Sequence, residues 1–144
     1  MAIPLQPWDG MGGTGIFAVD SLSGTYALVV DPEKERRVLL SGILRYCGAL
    51  VTPVDSSEAA LAVMAQLRPD VLVVDFTEPD ACGLPLIRSV RALKPDAGGT
   101  VPSIAVGDGG DNATLARARG FDGYLTRPLE AWAFCRLVQS LLPV

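Results

Sequence analysis

Two aspartates stand where this chain could do chemistry. Each directly follows four apolar residues: Asp31 comes after Ala27-Leu28-Val29-Val30, and Asp75 after Val71-Leu72-Val73-Val74. An acid at the end of a buried run has to reach the surface. Two such acids brought together, with Glu33 nearby, would seat a hard divalent cation such as Mg²⁺, which takes oxygen ligands from one or two carboxylates and keeps several waters. Each acid also has a plainer reading. Asp31 would cap a helix beginning near Glu33, since Asp is a favoured N-cap, and Asp75 would bond only the amides of its own loop. The chain has no His, which removes the commonest general base and metal ligand and with it most hydrolase triads.

The elements that must position these acids follow from the spacing. From Tyr26 onward, short β-rich apolar runs alternate with amphipathic stretches of helical length, the pattern of successive βαβ units. The strands expected are Tyr26 to Val30, Ala49 to Val54, Val71 to Val74, Ser103 to Val106 and Gly123 to Thr126. Helices are expected over Glu33 to Tyr46, Ser57 to Gln66, Leu84 to Leu93, Asn112 to Ala118 and Leu129 to Leu142. The first and third strands are continuously apolar, as parallel strands covered by helices on both faces must be. The second contains Pro53, which cannot donate a ladder hydrogen bond and belongs on an edge. Right-handed crossovers then give an α/β fold with a doubly wound, five-stranded parallel sheet of flavodoxin-like type, strand order 2-1-3-4-5, with helices on both faces. The winding reverses between strands one and three, and ligands bind at the carboxyl ends of strands at such a switch point. Asp31 and Asp75 fall there.

Composition bounds the partners. With 144 residues and 49% hydrophobic content the chain can bury the core of one domain. Its net charge of −4, from 16 acidic and 12 basic residues, argues against binding nucleic acid through phosphates. No apolar run approaches the roughly 18 residues of a membrane span. Residues 1–24 contain no Lys or Arg, so they lack the basic start of a secretory signal, and a cytoplasmic location is expected. The three cysteines, Cys47, Cys82 and Cys135, are odd in number and widely spaced, which fits free thiols in a reducing compartment. Cys82 has no Lys, Arg or His close in sequence to activate it, so an inert thiol is expected. Residues 1–24 read as an arm or linker rich in Gly and Pro, preceding a domain over 25–144, with Ile16 to Val19 as a short extra strand. The run Gly10 to Gly15 follows no expected strand and lacks the Lys-Ser/Thr ending of a phosphate loop.

From Tyr26 to Leu142 the chain resembles the receiver domain of bacterial two-component response regulators. Leu28-Val29-Val30-Asp31 is similar to that family's first strand. Val71-Leu72-Val73-Val74-Asp75, with Pro79 and Gly83, is similar to its phosphoacceptor segment, and Gly120-Phe121-Asp122-Gly123-Tyr124-Leu125-Thr126-Arg127-Pro128 to its last strand. The resemblance implies that Asp75 attacks the phosphoryl group of a sensor histidine kinase's phosphohistidine and forms an aspartyl phosphate, with Mg²⁺ neutralising the transferred charge. It assigns the metal to Asp31, Asp75 and the backbone carbonyl of Thr77, with Glu33 as the further acid that the spacing brings nearby, and the phosphoryl contacts to Arg127 and the position of Gly107. It also implies a cis peptide before Pro128 and a signalling role rather than enzymatic turnover.

Three positions depart from the family pattern. Pro32 stands where a second acid is usual, which weakens the metal site. Arg127 stands for a lysine, keeping the charge without the point geometry of an ammonium. Gly107 stands for a Ser or Thr whose hydroxyl follows the phosphoryl group and lets an aromatic, here Tyr124, turn inward. A hydrogen bond to a charged group is worth roughly 1.5–3 kcal/mol, about the size of an allosteric coupling, so its loss would erase the switch. On the last helix, Phe134, Cys135, Val138, Leu141 and Leu142 share the sheet-facing side at helical spacing. Trp132 and Arg136 share the other, which predicts a partly exposed Trp on the face that also holds Tyr124, a surface suited to a partner or a second copy. Three functions are therefore open: a receiver regulating partners through phosphorylation of Asp75, a pseudo-receiver that binds partners without phosphorylation, and a small flavodoxin-like nucleotide- or flavin-binding protein. The acidic run Asp31-Pro32-Glu33-Lys34-Glu35 speaks against the last, since it offers no phosphate loop.

Overall fold

The computed structural model describes residues 21–143. Among them, strands β1 (Tyr26–Val30), β2 (Leu50–Val54), β3 (Val71–Asp75), β4 (Ser103–Gly107) and β5 (Gly123–Thr126) alternate with helices α1 (Lys34–Tyr46), α2 (Ser57–Gln66), α3 (Gly83–Arg91), α4 (Asn112–Ala118) and α5 (Ala131–Leu141). The sheet order is β2-β1-β3-β4-β5 and every pairing is parallel, the arrangement expected from the spacing. Pro53 sits on edge strand β2, opposite Val29. Two strands run further than expected: β3 includes Asp75, opposite Val106, and β4 includes Gly107, opposite Thr126.

The strands are apolar throughout because the sheet has a core on each face. Successive side chains alternate between faces. Leu28, Val30, Leu72, Val74 and Ala105 therefore pack with Phe76, Leu86, Ile87, Val90 and Phe121 in one cluster. Ala27, Val29, Val71, Val73, Ile104 and Val106 pack with Leu40, Leu44, Phe134 and Val138 in the other. Phe134, Cys135 and Val138 of α5 are fully buried, as the helical spacing requires.

The expected boundary of the arm is corrected by Leu22. It is fully buried in the α1–α5 cluster, and its amide donates to the Cys47 carbonyl at 2.8 Å. An apolar side chain at that position has a core to enter, so packing starts before Thr25. Residues 1–20, with the Gly10 to Gly15 run and the strand expected at Ile16 to Val19, lie outside the described residues. No helix among the described residues is long and apolar enough to cross a membrane.

Cys47 and Cys135, at the end of α1 and within α5, meet in this cluster with their Sγ atoms 2.8 Å apart, both as free thiols. Burial pushes both thiols upward, away from the thiolate that would react.

Candidate functional site

The parallel ladder brings four chain segments to one end of the sheet. Past Asp75, Phe76 N donates to Val106 O at 2.7 Å, and Arg127 N donates to Gly107 O at 2.9 Å. The peptide bond between Arg127 and Pro128 is cis. These bonds tie the exits of β3 and β5 to β4, β1 pairs with β3 on its other side, and the side chains of Asp31, Asp75 and Arg127 converge.

Asp75 is almost fully buried and heavily engaged. Its Oδ1 accepts from Thr77 Oγ1 at 2.6 Å, from Thr77 N at 3.3 Å and from Arg127 Nη2 at 3.1 Å. The same guanidinium lies 3.7 Å from Asp31 Oδ2, donates from Nη1 to Thr77 Oγ1 at 2.8 Å, and reaches the exposed Asp108 at 3.4 Å. Arg127 thus stands against Asp75. Thr77 contributes its hydroxyl and amide to Asp75 itself, contacts that the expected role of its carbonyl did not include.

Asp31 is fully buried and Asp75 almost so, against the expectation that an acid ending each run reaches the surface. Burial drives the Asp31 carboxyl above the ordinary value, and the hydrogen bonds from Arg36 and the Glu33 amide, which pull the other way, do not outweigh it. The expected helix cap is corrected here. Glu33, not Asp31, is the N-cap of α1: its carboxylate accepts from Arg36 N at 2.7 Å, while Asp31 Oδ1 accepts from Glu33 N at 2.9 Å. Glu33 Oε1 is thereby engaged at the helix end, beside the acid pair.

The residue that the sequence reading missed is Arg36. Its Nε and Nη2 donate to Asp31 at 3.2 and 3.1 Å, and Nη2 lies 3.6 Å from Asp75 Oδ2. Burial alone would lower this guanidinium; the bond and charge of Asp31, with the charges of Asp75 and Glu33, hold it above its ordinary value. A signal was present. Lys34, Arg36 and Arg37 crowd the first turn of α1, the end of a helix where cations are disfavoured by the macrodipole. Nearby acids offset that cost, and Arg37 adds a bond to the Asp31 carbonyl at 2.9 Å.

At Gly107 the missing hydroxyl has a structural counterpart. The Tyr124 hydroxyl accepts from Gly109 N at 3.1 Å, and its ring meets Phe76 edge-on at 6.5 Å. A Cβ placed on Gly107 would collide with the Tyr124 hydroxyl, and it would stand 3.3 Å from the Phe76 carbonyl. Tyr124 therefore points inward, into space that only Gly leaves open. Trp132 is half-buried, as expected, with the exposed Arg136 stacked 5.6 Å from its ring centroid. The spacing of one helical turn explains that pairing.

Cys82 lies at the start of α3 and is buried. Burial, with the added charges of Asp75 and Asp31, pushes its thiol up to about 11. The folded chain holds this proton where the unfolded chain releases it. The stability it confers is complete below the ordinary value of 9.0 and is lost as pH rises through about 11. Urea unfolding across that window will show wild type losing on the order of 2–3 kcal/mol relative to Cys82→Ala; parallel curves for the two proteins would contradict it.

No protein-family model matches the chain. It is 36% identical over 115 residues to an uncharacterized 14.6 kDa protein of Leptolyngbya boryana, covering 78% of this chain and 86% of that one. It is 34% identical over 104 residues to the transcriptional regulatory protein FixJ of Rhizobium meliloti, covering 71% of this chain and 49% of FixJ, so it spans about half the length of that relative. Among solved structures it is similar to the receiver domain of the sensor histidine kinase PA1611 from Pseudomonas aeruginosa, which has a magnesium ion coordinated in its active site cleft. The TM-score is 0.72 at 25% identity, covering 83% of this chain and 98% of that one.

Proposed function

Because the chain belongs to the response-regulator receiver family of two-component signalling, we propose that it relays a signal by protein contact through a face that is set without a phosphoryl group on Asp75. One observation carries this reading: the Tyr124 hydroxyl fills the space beside Gly107. The family resemblance makes the inward aromatic the consequence of phosphorylation, brought about by a hydroxyl that this chain lacks. Here the aromatic is inward with no hydroxyl at position 107, so on this reading the phosphoryl group has no second ring position to select. A ligand or modification shifts an equilibrium only by its differential affinity for two states.

Asp75 keeps the acceptor position in this reading, with Arg127 as its phosphoryl-binding partner, but signalling does not depend on the transfer. Pro32 weakens any seat for Mg²⁺ by leaving Asp31 without a second acid beside it. The partner is a sensor histidine kinase or another signalling protein that docks on the surface holding Tyr124, Trp132 and Arg136, since Trp, Tyr and Arg dominate interface hot spots. A second copy of the chain is the alternative occupant of that face. The domain acts in the cytoplasm as a contact module over residues 25–144, extended towards its N-terminus by Leu22, with the earlier residues as linker, and it turns over no substrate.

The test is amide NMR of the domain with and without beryllofluoride and Mg²⁺, alongside Asp75→Asn. The expected result is that resonances from Tyr124 to Arg136 stay in place, with any change confined to the segment from Asp75 to Thr77. Shifts spreading through Tyr124 and Trp132, and abolished by Asp75→Asn, would restore the phosphorylation-dependent reading.

A further inference from the structure

The carboxylate pair already has a cation. We infer that the Arg36 guanidinium is the resident counterion of Asp31 and Asp75, and that a divalent ion has to displace it to enter.

The geometry is specific. Arg36 engages both oxygens of Asp31, at 3.1 and 3.2 Å, and its Nη2 also lies 3.6 Å from Asp75 Oδ2. Asp75 Oδ1 is committed to Thr77 and Arg127. Oδ2 is therefore the oxygen of Asp75 left to a cation, and Arg36 faces it. Mg²⁺ demands near-ideal octahedral oxygen ligation at about 2.0–2.1 Å and gives up water reluctantly. Among the described residues, no three His, Cys, Asp or Glu side chains gather as a metal cluster, and Glu33 is held at the helix cap. The oxygen set does not fit a divalent ion while Arg36 stands across it.

Arg36 is also built into the fold at both ends. Its amide is the donor to the Glu33 cap, so the backbone that starts α1 is the backbone that aims the guanidinium. Its side chain is one-third exposed, which keeps part of the charge hydrated and leaves a route by which it can be displaced. Arg36 and Arg127 bring two positive charges to the two carboxylates of Asp31 and Asp75, with the exposed Asp108 sharing Arg127. Removal of Arg36 leaves two buried carboxylates with one guanidinium between them, a net charge that draws a divalent cation in.

This inference concerns the cation at the acid pair and stands apart from the orientation of Tyr124; either can fail alone. The experiment uses Mn²⁺ as a paramagnetic probe on the full chain and reads the broadening of the Asp31, Asp75 and Thr77 amides. The expected result is that wild type resists broadening at millimolar Mn²⁺, whereas Arg36→Met binds at least about tenfold more tightly, and Mg²⁺ reverses the broadening. Equal affinity in wild type and Arg36→Met would overturn the inference, as would a folded Arg36→Met that binds no Mn²⁺. If Arg36→Met does not fold, Arg36→Gln carries the same comparison with the same expected gain. A wild-type melting temperature that rises with millimolar Mg²⁺ would also overturn it.

Discussion

Replacing Gly107 by Ala will destabilise the domain by about 1–3 kcal/mol, the usual cost of forcing an added methyl group into a packed site. The sign is what makes this informative. In the interior of a strand, Ala is ordinarily better than Gly by roughly 0.5–1 kcal/mol because less backbone entropy is lost. Here the new Cβ would strike the Tyr124 hydroxyl. The ring cannot give way inward, because Phe76 meets it edge-on and the Gly109 amide holds its oxygen. It has to swing out, losing its packing and its hydrogen bond. In a Tyr124→Leu background the same Gly107→Ala change will cost under about 0.5 kcal/mol or become a gain, leaving a coupling energy that a double-mutant cycle reads directly. Equal costs in both backgrounds would show that Tyr124 is not what fills the space.

Arg127→Met will cost about 3 kcal/mol, the lower end of the range for breaking a buried ion pair by removing one partner. Asp75 loses its 3.1 Å partner, Asp31 loses a guanidinium at 3.7 Å, and the Thr77 hydroxyl loses its donor. Two features keep the loss from being larger: Arg36 still faces Asp75 at 3.6 Å, and the Arg127 side chain is 21% exposed. Adding Asp75→Asn to Arg127→Met will recover most of the loss, because the penalty is an uncompensated buried charge rather than lost packing. The third acid gives an internal control. Asp108 is 66% exposed and 3.4 Å from Arg127, so Asp108→Asn will cost no more than about 1 kcal/mol. Chemical denaturation of the three variants measures all of this; a double variant no more stable than Arg127→Met would contradict the charge argument.

Both predictions rest on parts of the site that were unequally legible in the sequence. The acids were legible because Asp31 and Asp75 end apolar runs that only the middle of a parallel sheet can absorb, and Pro53 placed the edge strand. Arg127 followed only from the resemblance of its segment to the receiver family's last strand. Arg36 was not legible by spacing, because its partners become neighbours only when β1 and β3 pair; a crowd of cations at the start of α1 was the trace it left. The plainer reading of Asp31 as the helix cap failed because Asp31 and Glu33 are both able to accept at that helix end, and in the fold Glu33 takes the Arg36 amide while Asp31 turns into the site. At Gly107 the sequence showed a hydroxyl missing, which reads as a switch lost. The structure shows that space occupied by the Tyr124 hydroxyl instead. Leu22 was hidden in a Gly- and Pro-rich segment whose composition resembles a linker, although one buried side chain and one backbone bond suffice to tie it to the core.

The orientation of Tyr124 in the unmodified, metal-free domain is the most direct point of test. Nuclear Overhauser contacts from the Tyr124 ring protons to the Gly107 α-protons and the Gly109 amide, together with protection of the ring from a soluble paramagnetic agent, are the expected result. A Tyr124 ring that shows neither contact and is freely accessible to the agent would contradict the account, because the contact face would then still have a position to move to.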